Sequence, residues 1–371
     1  MALDTNMQSF LAKGEMSQEL ARELFERGGF IVFKNFEEGM EFGIDYKSWN
    51  VAPKFIGLKM IPPGVHFIYI SVKDAPRIGF FHNFKEHEIL VRTWSKENED
   101  FIDDVSDSVE IQRIRANLKN LDRNLGPYPY ENYRSWISLS NRISEKTIKR
   151  LQPKNKLGRI TGQSEVITKE EEEAKQSSDP SKMFVVDRTK QTRVRYVDTF
   201  GLPIMNVKPG FEINFSEVPQ ITLADTNLKR AGIDSSERLY KLLASLDNDI
   251  NEFLGEFQYA FVVFLMGQVY EGFEQWKRLI HLLCSCTSAL VSRASLFKEL
   301  LMILLFQLKE CPDDFFHDVL AKDNFLVSTL SLLFANVEDT SGVDSELLTK
   351  SRKFKAYLSK KFGVGFDLPE D

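Results

Sequence analysis

The chain has 371 residues, 43 % hydrophobic and 27 % charged, and this length allows two ordinary domains that each bury a core. Its formal net charge of −6 argues against a general nucleic-acid binder, which needs basic side chains to neutralise phosphates. Three cysteines predict reduced thiols, not a disulfide framework. The apolar runs are far shorter than the roughly 20 residues of a membrane span, and the first residues lack a secretory signal pattern. We therefore expect a cytoplasmic and nuclear protein that does not enter a membrane.

Residues 1–152 are predicted to form a β-rich domain with a helical tail. A short helix is expected to begin after Ser17, a good N-cap, and to end at Gly28. Spacing of apolar residues predicts two more helical pieces, over 109–121 and 136–139. Short aromatic and β-branched runs between turn residues favour an antiparallel sandwich or barrel-like fold. The runs are FIVFKNF, EFGI, FIGLKMI, VHFIYISV, RIGFFHNF and EILVRTW.

Residues 153–208 are predicted to be a flexible linker. The stretch holds an acidic run at 169–173 and few large apolar residues before Met183. Such a composition buries too little apolar surface to offset the entropy of ordering the chain. Alternating residues at 193–197 and again at 211–215 predict short strands.

Residues 209–363 are predicted to form an all-α domain, followed by an extended tail at 364–371. One continuous apolar stripe from Phe257 to Leu283 indicates a long helix. Further helices are expected over 289–308, 314–320 and 325–334, and a last one over 344–362 that ends at Gly363.

No pattern of a catalytic, metal or cofactor site is found in the sequence. His82 and His87 are separated by what looks like a hairpin turn, and we interpret them and His66 as surface or turn residues, not as metal ligands. Cys284 and Cys286 point in different directions on a helix and are interpreted as core residues. Neither a nucleophile elbow nor a glycine-rich phosphate loop is present. We therefore predict a protein that is not an enzyme and needs no cofactor.

Several segments are candidates for contact with a partner. Tyr128 and Tyr130 lie in a Gly/Pro turn that is expected to expose them, and aromatic side chains often anchor interfaces. The tail residues Val364, Phe366 and Leu368 form an extended segment that can add a strand to a partner sheet.

Charged and hydroxyl side chains supply further candidates. Ser177 and Ser178, near the acidic run, are candidate phosphorylation sites. A basic strip in the linker is a weak candidate for RNA phosphates, and a basic face on the last helix is a solvated surface or a docking site for an acidic protein. The strip comprises Arg188, Lys190, Arg193 and Arg195; the helix face comprises Lys350, Arg352, Lys353, Lys355, Lys360 and Lys361.

Uncommon strings in both halves of the chain resemble the A1-cistron splicing-factor family. They cover most of both predicted domains in the right order; the linker and the short C-terminus show no matching pattern. The strings are EFGIDYKSW, PKFIGLKMIPPGVHF, RIGFF and LGPYPYENYRSWISLSNRIS in the first half, and GEFQYAFVVFLMGQVYEGFEQWKRLIHLLC and DNFLVSTL in the second.

The resemblance implies a β-rich N-terminal domain joined to a helical domain similar to VHS domains. It implies an assembly chaperone that binds the central scaffold protein of the U5 snRNP through its RNase H-like and MPN-type domains. It also implies that binding blocks premature docking of the U5 helicase and that phosphorylation is linked to release. The protein itself is expected to be a monomer, and whether it contacts RNA directly is left open.

Two other functions are kept as alternatives. VHS-like domains also read sorting signals, so a membrane-trafficking adaptor would bind peptide motifs or ubiquitin. A metal-dependent oxygenase built on the β-rich domain would carry stoichiometric iron or zinc.

Overall fold

The computed structural model of the chain describes residues 17–73, 75–102, 108–155, 157–166, 205–219, 234–310 and 325–366. The chain divides into two compact units, one comprising Met1–Gly162 with Met266–Gln268 and the other Gln163–Leu265 with Val269–Asp371. The first unit is built from β-sheets and the second from helices, which confirms the predicted α+β multidomain class.

The first unit contains two five-stranded sheets. The strands are β1 (Gly29–Lys34), β2 (Glu41–Ile44), β3 (Lys47–Asn50), β4 (Gly57–Ile61), β5 (Gly64–Ser71), β6 (Ile78–Phe84), β7 (Ile89–Ser95), β8 (Asp100–Ile102), β9 (Leu125–Pro127) and β10 (Ile160–Thr161). The strand orders of the two sheets are β8-β7-β1-β4-β9 and β10-β6-β5-β2-β3. The second sheet is antiparallel throughout, whereas the first has two parallel pairs, β1 with β7 and β4 with β9. Long connections that run through the other sheet make these parallel pairs possible.

All six predicted strand runs form strands, and their alternation places a core between the two sheets. In β1, Ile31 and Phe33 contact the core that also contains Phe42 and Phe80 of the other sheet. Phe30, on the opposite face of β1, belongs to a second cluster beneath helix α2 (Ser108–Leu121). Because successive side chains of a strand point to opposite faces, β1 is apolar on both sides.

Three further helices complete the first unit: α1 (Gln18–Arg27), α3 (Tyr133–Ser140) and α4 (Glu145–Leu151). As predicted, α1 begins after Ser17, whose Oγ accepts a hydrogen bond of 3.2 Å from the Leu20 amide, and it ends at Gly28. The turn predicted between His82 and His87 is present, but it joins strands of different sheets and is therefore not a hairpin. Thr161 of β10 pairs with Ile78, so residues assigned to the linker by composition belong to the first unit.

The second unit consists of helices and one short strand pair. The pair joins β11 (Ser164–Val166) to β12 (Met205–Val207), and both strands lie inside the predicted linker, of which residues 167–204 are outside the described part. Among the described residues no helix is both long and apolar enough to cross a membrane. The helices are α5 (Ser236–Ser245), α6 (Ile250–Leu265), α7 (Tyr270–Cys284), α8 (Ser288–Ser292), α9 (Ala294–Glu310), α10 (Phe325–Asp339) and α11 (Ser345–Phe362).

The prediction of one long helix from Phe257 to Leu283 is wrong. The chain turns after Leu265, and Gln268 adopts a φ of 56°, which is incompatible with a continuous helix. The turn brings α7 back along α6 so closely that a Cβ on Gly272 would lie 2.7 Å from the carbonyl oxygen of Ala260. The apolar stripe therefore belongs to two helices that cover each other.

The other helix predictions agree in part. The helix expected over 289–308 is divided at Arg293 into α8 and α9, and the one expected over 314–320 lies outside the described residues. The last helix is as predicted, since Asp344 caps its first turn and Gly363 ends it with a left-handed φ of 66°. A VHS-like arrangement of these helices is compatible with their order and stays a prediction.

Residues 211–215 form no strand, contrary to prediction; together with residues 216–219 they cross the helices as a strap without regular secondary structure. The Ser216 amide and hydroxyl donate to the two carboxylate oxygens of Glu256 at 2.8 and 2.7 Å. Gln275 donates to the Ser216 carbonyl and to Glu256, each at 2.9 Å. Side chains from α6 and α7 thus satisfy the backbone groups that a sheet would otherwise pair.

Candidate partner-binding groove

A groove of about 400 Å³ opens on the first unit. Its wall and floor include the apolar side chains of Phe42, Trp49, Phe55, Leu58, Pro127 and Tyr128. Strand pairing assembles it, because Phe42 of β2 lies opposite Trp49 of β3 and Leu58 of β4 lies beside Gly126 of β9. The Phe42 and Trp49 rings stack at 6.2 Å with an interplanar angle of 13°. Most of the residues that line the groove belong to three of the strings that carried the family resemblance, EFGIDYKSW, PKFIGLKMIPPGVHF and LGPYPYENYRSWISLSNRIS.

The Tyr128 wall is fixed by a buried polar network. The Tyr128 hydroxyl donates to Asp45 Oδ2 at 2.6 Å, and His66 Nδ1 lies 2.7 Å from the same oxygen. His66 Nε2 lies 2.8 Å from the Pro62 carbonyl oxygen, and the Phe67 amide donates to Asp45 Oδ1 at 2.9 Å. Both ring nitrogens of His66 therefore face oxygen atoms of the protein, one on Asp45 and one on the backbone of Pro62.

This Asp-His-Tyr arrangement resembles part of a hydrolytic triad in composition only. His66 is 1 % exposed, and neither of its nitrogens is free to take a proton from a substrate. Burial is the largest cause that raises the pKa of Tyr128, followed by the adjacent Asp45 charge. The network therefore positions the wall of the groove and stabilises the turn that follows β9.

Two polar groups on residues that line the groove have spare hydrogen-bonding capacity. The Trp49 indole N–H makes no hydrogen bond to any residue that the structure describes. Glu131 is exposed and is the one charged residue among those that line the groove. Apolar walls with a few polar groups at the edge are the usual composition of a binding site.

The expected exposure of Tyr128 and Tyr130 is wrong. Tyr128 is 3 % and Tyr130 is 1 % exposed, and the Tyr130 hydroxyl donates to the Met60 carbonyl oxygen at 2.7 Å. Burial raises the pKa of Tyr130 as well. Both hydroxyls find buried acceptors that are distant in sequence, which draws the rings inward. A partner can reach Tyr128 only where its ring lines the groove; its role in binding remains a prediction.

The C-terminal tail is less free than predicted. Phe366 is 1 % exposed and packs against Phe334 of α10, with ring centroids 5.8 Å apart. Val364 is half-buried, and Leu368 lies outside the described residues. The apolar Phe366 ring therefore belongs to the core of its own helical unit and is not presented to a partner.

His66 is 1 % exposed, so its interpretation as a surface or turn residue is wrong, whereas His87 is exposed in the turn that follows β6. His82 Nε2 pairs with Glu88 at 2.8 Å, and the described residues contain no cluster of three or more His, Cys, Asp or Glu suited to a metal ion. Cys284 and Cys286 are buried core residues, as predicted, and burial raises the pKa of both thiols, to about 12 for Cys286.

Two other groups of candidates have different outcomes. Ser177, Ser178, the acidic run at 169–173 and the basic strip at 188–195 lie outside the described residues. On α11, Arg352, Lys353 and Lys360 are exposed, whereas Lys350 pairs with Glu346 at 2.9 Å and Lys361 donates to backbone carbonyls of α9. The basic face is therefore solvated over only part of the helix.

Sequence comparisons place the chain among known proteins. Residues 27–153 match the AAR2 N-terminal domain, and residues 215–367 match the AAR2 C-terminal repeat region. The chain is 48 % identical over 358 residues to the protein AAR2 homolog of Caenorhabditis elegans, covering 95 % of this chain and 99 % of that protein. It is 39 % identical over 382 residues to the Homo sapiens homolog, covering 97 % and 96 %, and 40 % identical over 382 residues to the Mus musculus homolog, covering 96 % and 95 %. The predicted resemblance is confirmed: the chain belongs to the AAR2 family of splicing-related factors.

Proposed function

We propose that this protein is a non-catalytic assembly chaperone of the U5 snRNP. It binds the central U5 scaffold protein through the RNase H-like and MPN-type domains of that scaffold and blocks premature docking of the U5 helicase. Membership of the AAR2 family over nearly the whole chain is the observation that carries the proposal.

The chemistry of the first unit supports a binding role. Its most enzyme-like arrangement, Asp45 with His66 and Tyr128, is buried and has its hydrogen bonds completed internally. The groove beside it offers aromatic walls and free polar groups, which suit recognition of another chain and not a reaction.

The division into two units suggests how such a chaperone gains affinity. Two binding units on one chain raise the effective concentration of the second contact once the first has formed. Each unit then grips one of the two scaffold domains, and phosphorylation in the linker, at Ser177 or Ser178, weakens the second contact and favours release. The protein acts as a monomer in the cytoplasm and the nucleus.

Affinity purification of a tagged full-length chain from cell extract tests the proposal. The U5 scaffold is expected to co-purify and the U5 helicase to be absent. Adding purified helicase to the captured complex should displace the chain in a concentration-dependent way. Recovery of scaffold and helicase together on the same chain contradicts the blocking role.

A second experiment separates the alternative functions. If ubiquitin or sorting-signal peptides are retained while splicing proteins are not, the trafficking-adaptor function replaces the chaperone function. Stoichiometric iron or zinc in the purified chain, with turnover, would indicate the oxygenase.

A further inference from the structure

We propose that the groove of the first unit binds an extended, proline-rich peptide segment that carries a basic residue. This inference goes beyond the chaperone function, because it assigns a peptide-binding activity to the first unit whichever protein supplies the segment.

The walls of the groove match the surface of a polyproline II helix. Such a helix has three residues per turn and no internal hydrogen bonds, and proline rings on it dock between aromatic side chains. Trp49, Phe55 and Tyr128 provide aromatic surfaces, and Pro127 adds a rigid apolar edge. The Phe42 ring stacks on the Trp49 ring, and Asp45 accepts a hydrogen bond from Tyr128, so the walls are fixed before a ligand arrives.

The Trp49 indole supplies a partner that the backbone of such a peptide lacks. Because its carbonyl oxygens have no internal partner, they need donors from the receptor. The Trp49 indole N–H is a donor on a lining residue and has no partner among the described residues. An amphipathic helix has its own backbone groups satisfied and would leave this donor unused.

Charge complementarity decides the flanking residue of the ligand. Glu131 is exposed, makes no ion pair with a described residue, and is the one charged side chain that lines the groove. A lysine or arginine beside the proline-rich stretch forms an ion pair with the Glu131 carboxylate, whereas an acidic peptide or an RNA phosphate is repelled by it.

Fluorescence polarisation with the full chain tests the proposal. The probe is a labelled peptide of about ten residues, rich in proline with one arginine at its end. One comparison peptide carries glutamate in place of arginine, and another carries glycine and serine in place of the prolines. The arginine peptide is expected to bind in a saturable manner. Its affinity should fall as salt is added, since the pair between its arginine and Glu131 is exposed. The two comparison peptides should bind more weakly.

Two variants locate the binding in the groove. Glu131→Lys is expected to weaken binding of the arginine peptide up to about tenfold, because an attraction between opposite charges becomes a repulsion. The same variant should bind the glutamate peptide more tightly than the parent chain does, since a repulsion becomes an attraction. Trp49→Phe keeps an aromatic ring but removes the N–H, and should weaken binding about three- to tenfold. Glu97→Lys, an equal charge change at an exposed position of the same unit that does not line the groove, should have no effect.

Three results would overturn the inference. The first is the absence of saturable binding up to about 1 mM, which is at the weak end of specific affinities. The second is equal affinity of the Glu131→Lys variant and the parent chain for the arginine peptide. The third is that a single-stranded RNA or an amphipathic helical peptide binds in a manner sensitive to Trp49→Phe while the proline-rich probe does not bind. Retention of the U5 scaffold by the Trp49→Phe variant bears on the chaperone function alone, so the two proposals fail separately.

Discussion

Replacing Glu271 by glutamine is expected to stabilise the helical unit at pH 8 and to change it little at pH 5. Glu271 lies partly buried at the start of α7, where its Oε2 accepts a hydrogen bond of 3.2 Å from the Ile213 amide of the strap. Burial is the largest cause that raises its pKa, from 4.5 to about 7; nearby Glu212 raises it further, and the Ile213 N–H and Arg278 oppose the change.

The pH at which Glu271 destabilises the fold follows from its raised pKa. A carboxyl that holds its proton more tightly in the folded state stabilises the fold fully below pH 4.5, and this contribution is lost as the pH rises through about 7. At about 1.4 kcal/mol per pH unit between the two pKa values, ionised Glu271 costs the folded state about 3 kcal/mol at pH 8. At pH 5 the same linkage leaves less than about 1 kcal/mol. Glutamine avoids this cost and still offers an oxygen to the Ile213 amide.

The free energy of unfolding can be measured in the full chain from urea-dependent labelling of Cys284 and Cys286, read by peptide mass spectrometry. Both thiols are buried in the helical unit, so they react only when that unit opens. Glu217→Gln, at an exposed position of the same strap, is the matched control and should be neutral at both pH values. A gain for Glu271→Gln that is equal at pH 5 and pH 8, or a similar gain for the control, would refute the assigned role of burial.

Three other substitutions test the packing and the polar networks. Asp234→Ala should destabilise the helical unit by about 2–3 kcal/mol in the same thiol assay, because Asp234 accepts hydrogen bonds at the starts of both α5 and α8. Hydrogen bonds from Ser236 and Ser288 lower the Asp234 pKa against the opposing effect of its burial, so this stabilisation exists above pH 3.8 and should disappear on further acidification. Gly272→Ala should cost about 1–3 kcal/mol in that assay, since the added Cβ would lie 2.5 Å from Val263 Cγ2 and 2.7 Å from the Ala260 carbonyl oxygen. Tyr128→Phe removes the hydrogen bond to Asp45 and should lower the stability of the β-rich unit by about 1–2 kcal/mol, measured by near-UV circular dichroism in urea, with labelling of Cys284 unchanged.

Local signals in the sequence were sufficient for the ends of several elements. Ser17 and Gly28 bound the first helix, and Asp344 and Gly363 bound the last, because caps act through hydrogen bonds to neighbouring residues. The strand runs were found for a similar reason, since turn residues and aromatic stretches report on nearby backbone geometry. These helix ends and strand positions do not depend on contacts between distant parts of the chain, and they could therefore be predicted from the sequence alone.

The break between α6 and α7 shows where local patterns are ambiguous. Hydrophobic spacing continues across Gln268, so the sequence is equally compatible with one helix or two. The packing of Gly272 against α6 favours the turn, and that contact exists only in the folded unit. The strap at 211–219 is a similar case. Its alternating residues are typical of a strand, but the Ser216 backbone groups hydrogen-bond to the side chains of Glu256 and Gln275 instead of to a neighbouring strand.

By itself, the sequence determined the two-part α+β organisation, the family and the positions of most strands, all of which depend on composition, short-range pattern and uncommon strings. Only the tertiary structure decided which aromatic side chains face solvent. Tyr128 is buried because it hydrogen-bonds to Asp45, 83 residues away, and Phe366 because it meets Phe334. The groove likewise exists only after β9 pairs with β4, since its walls come from segments that no local rule brings together.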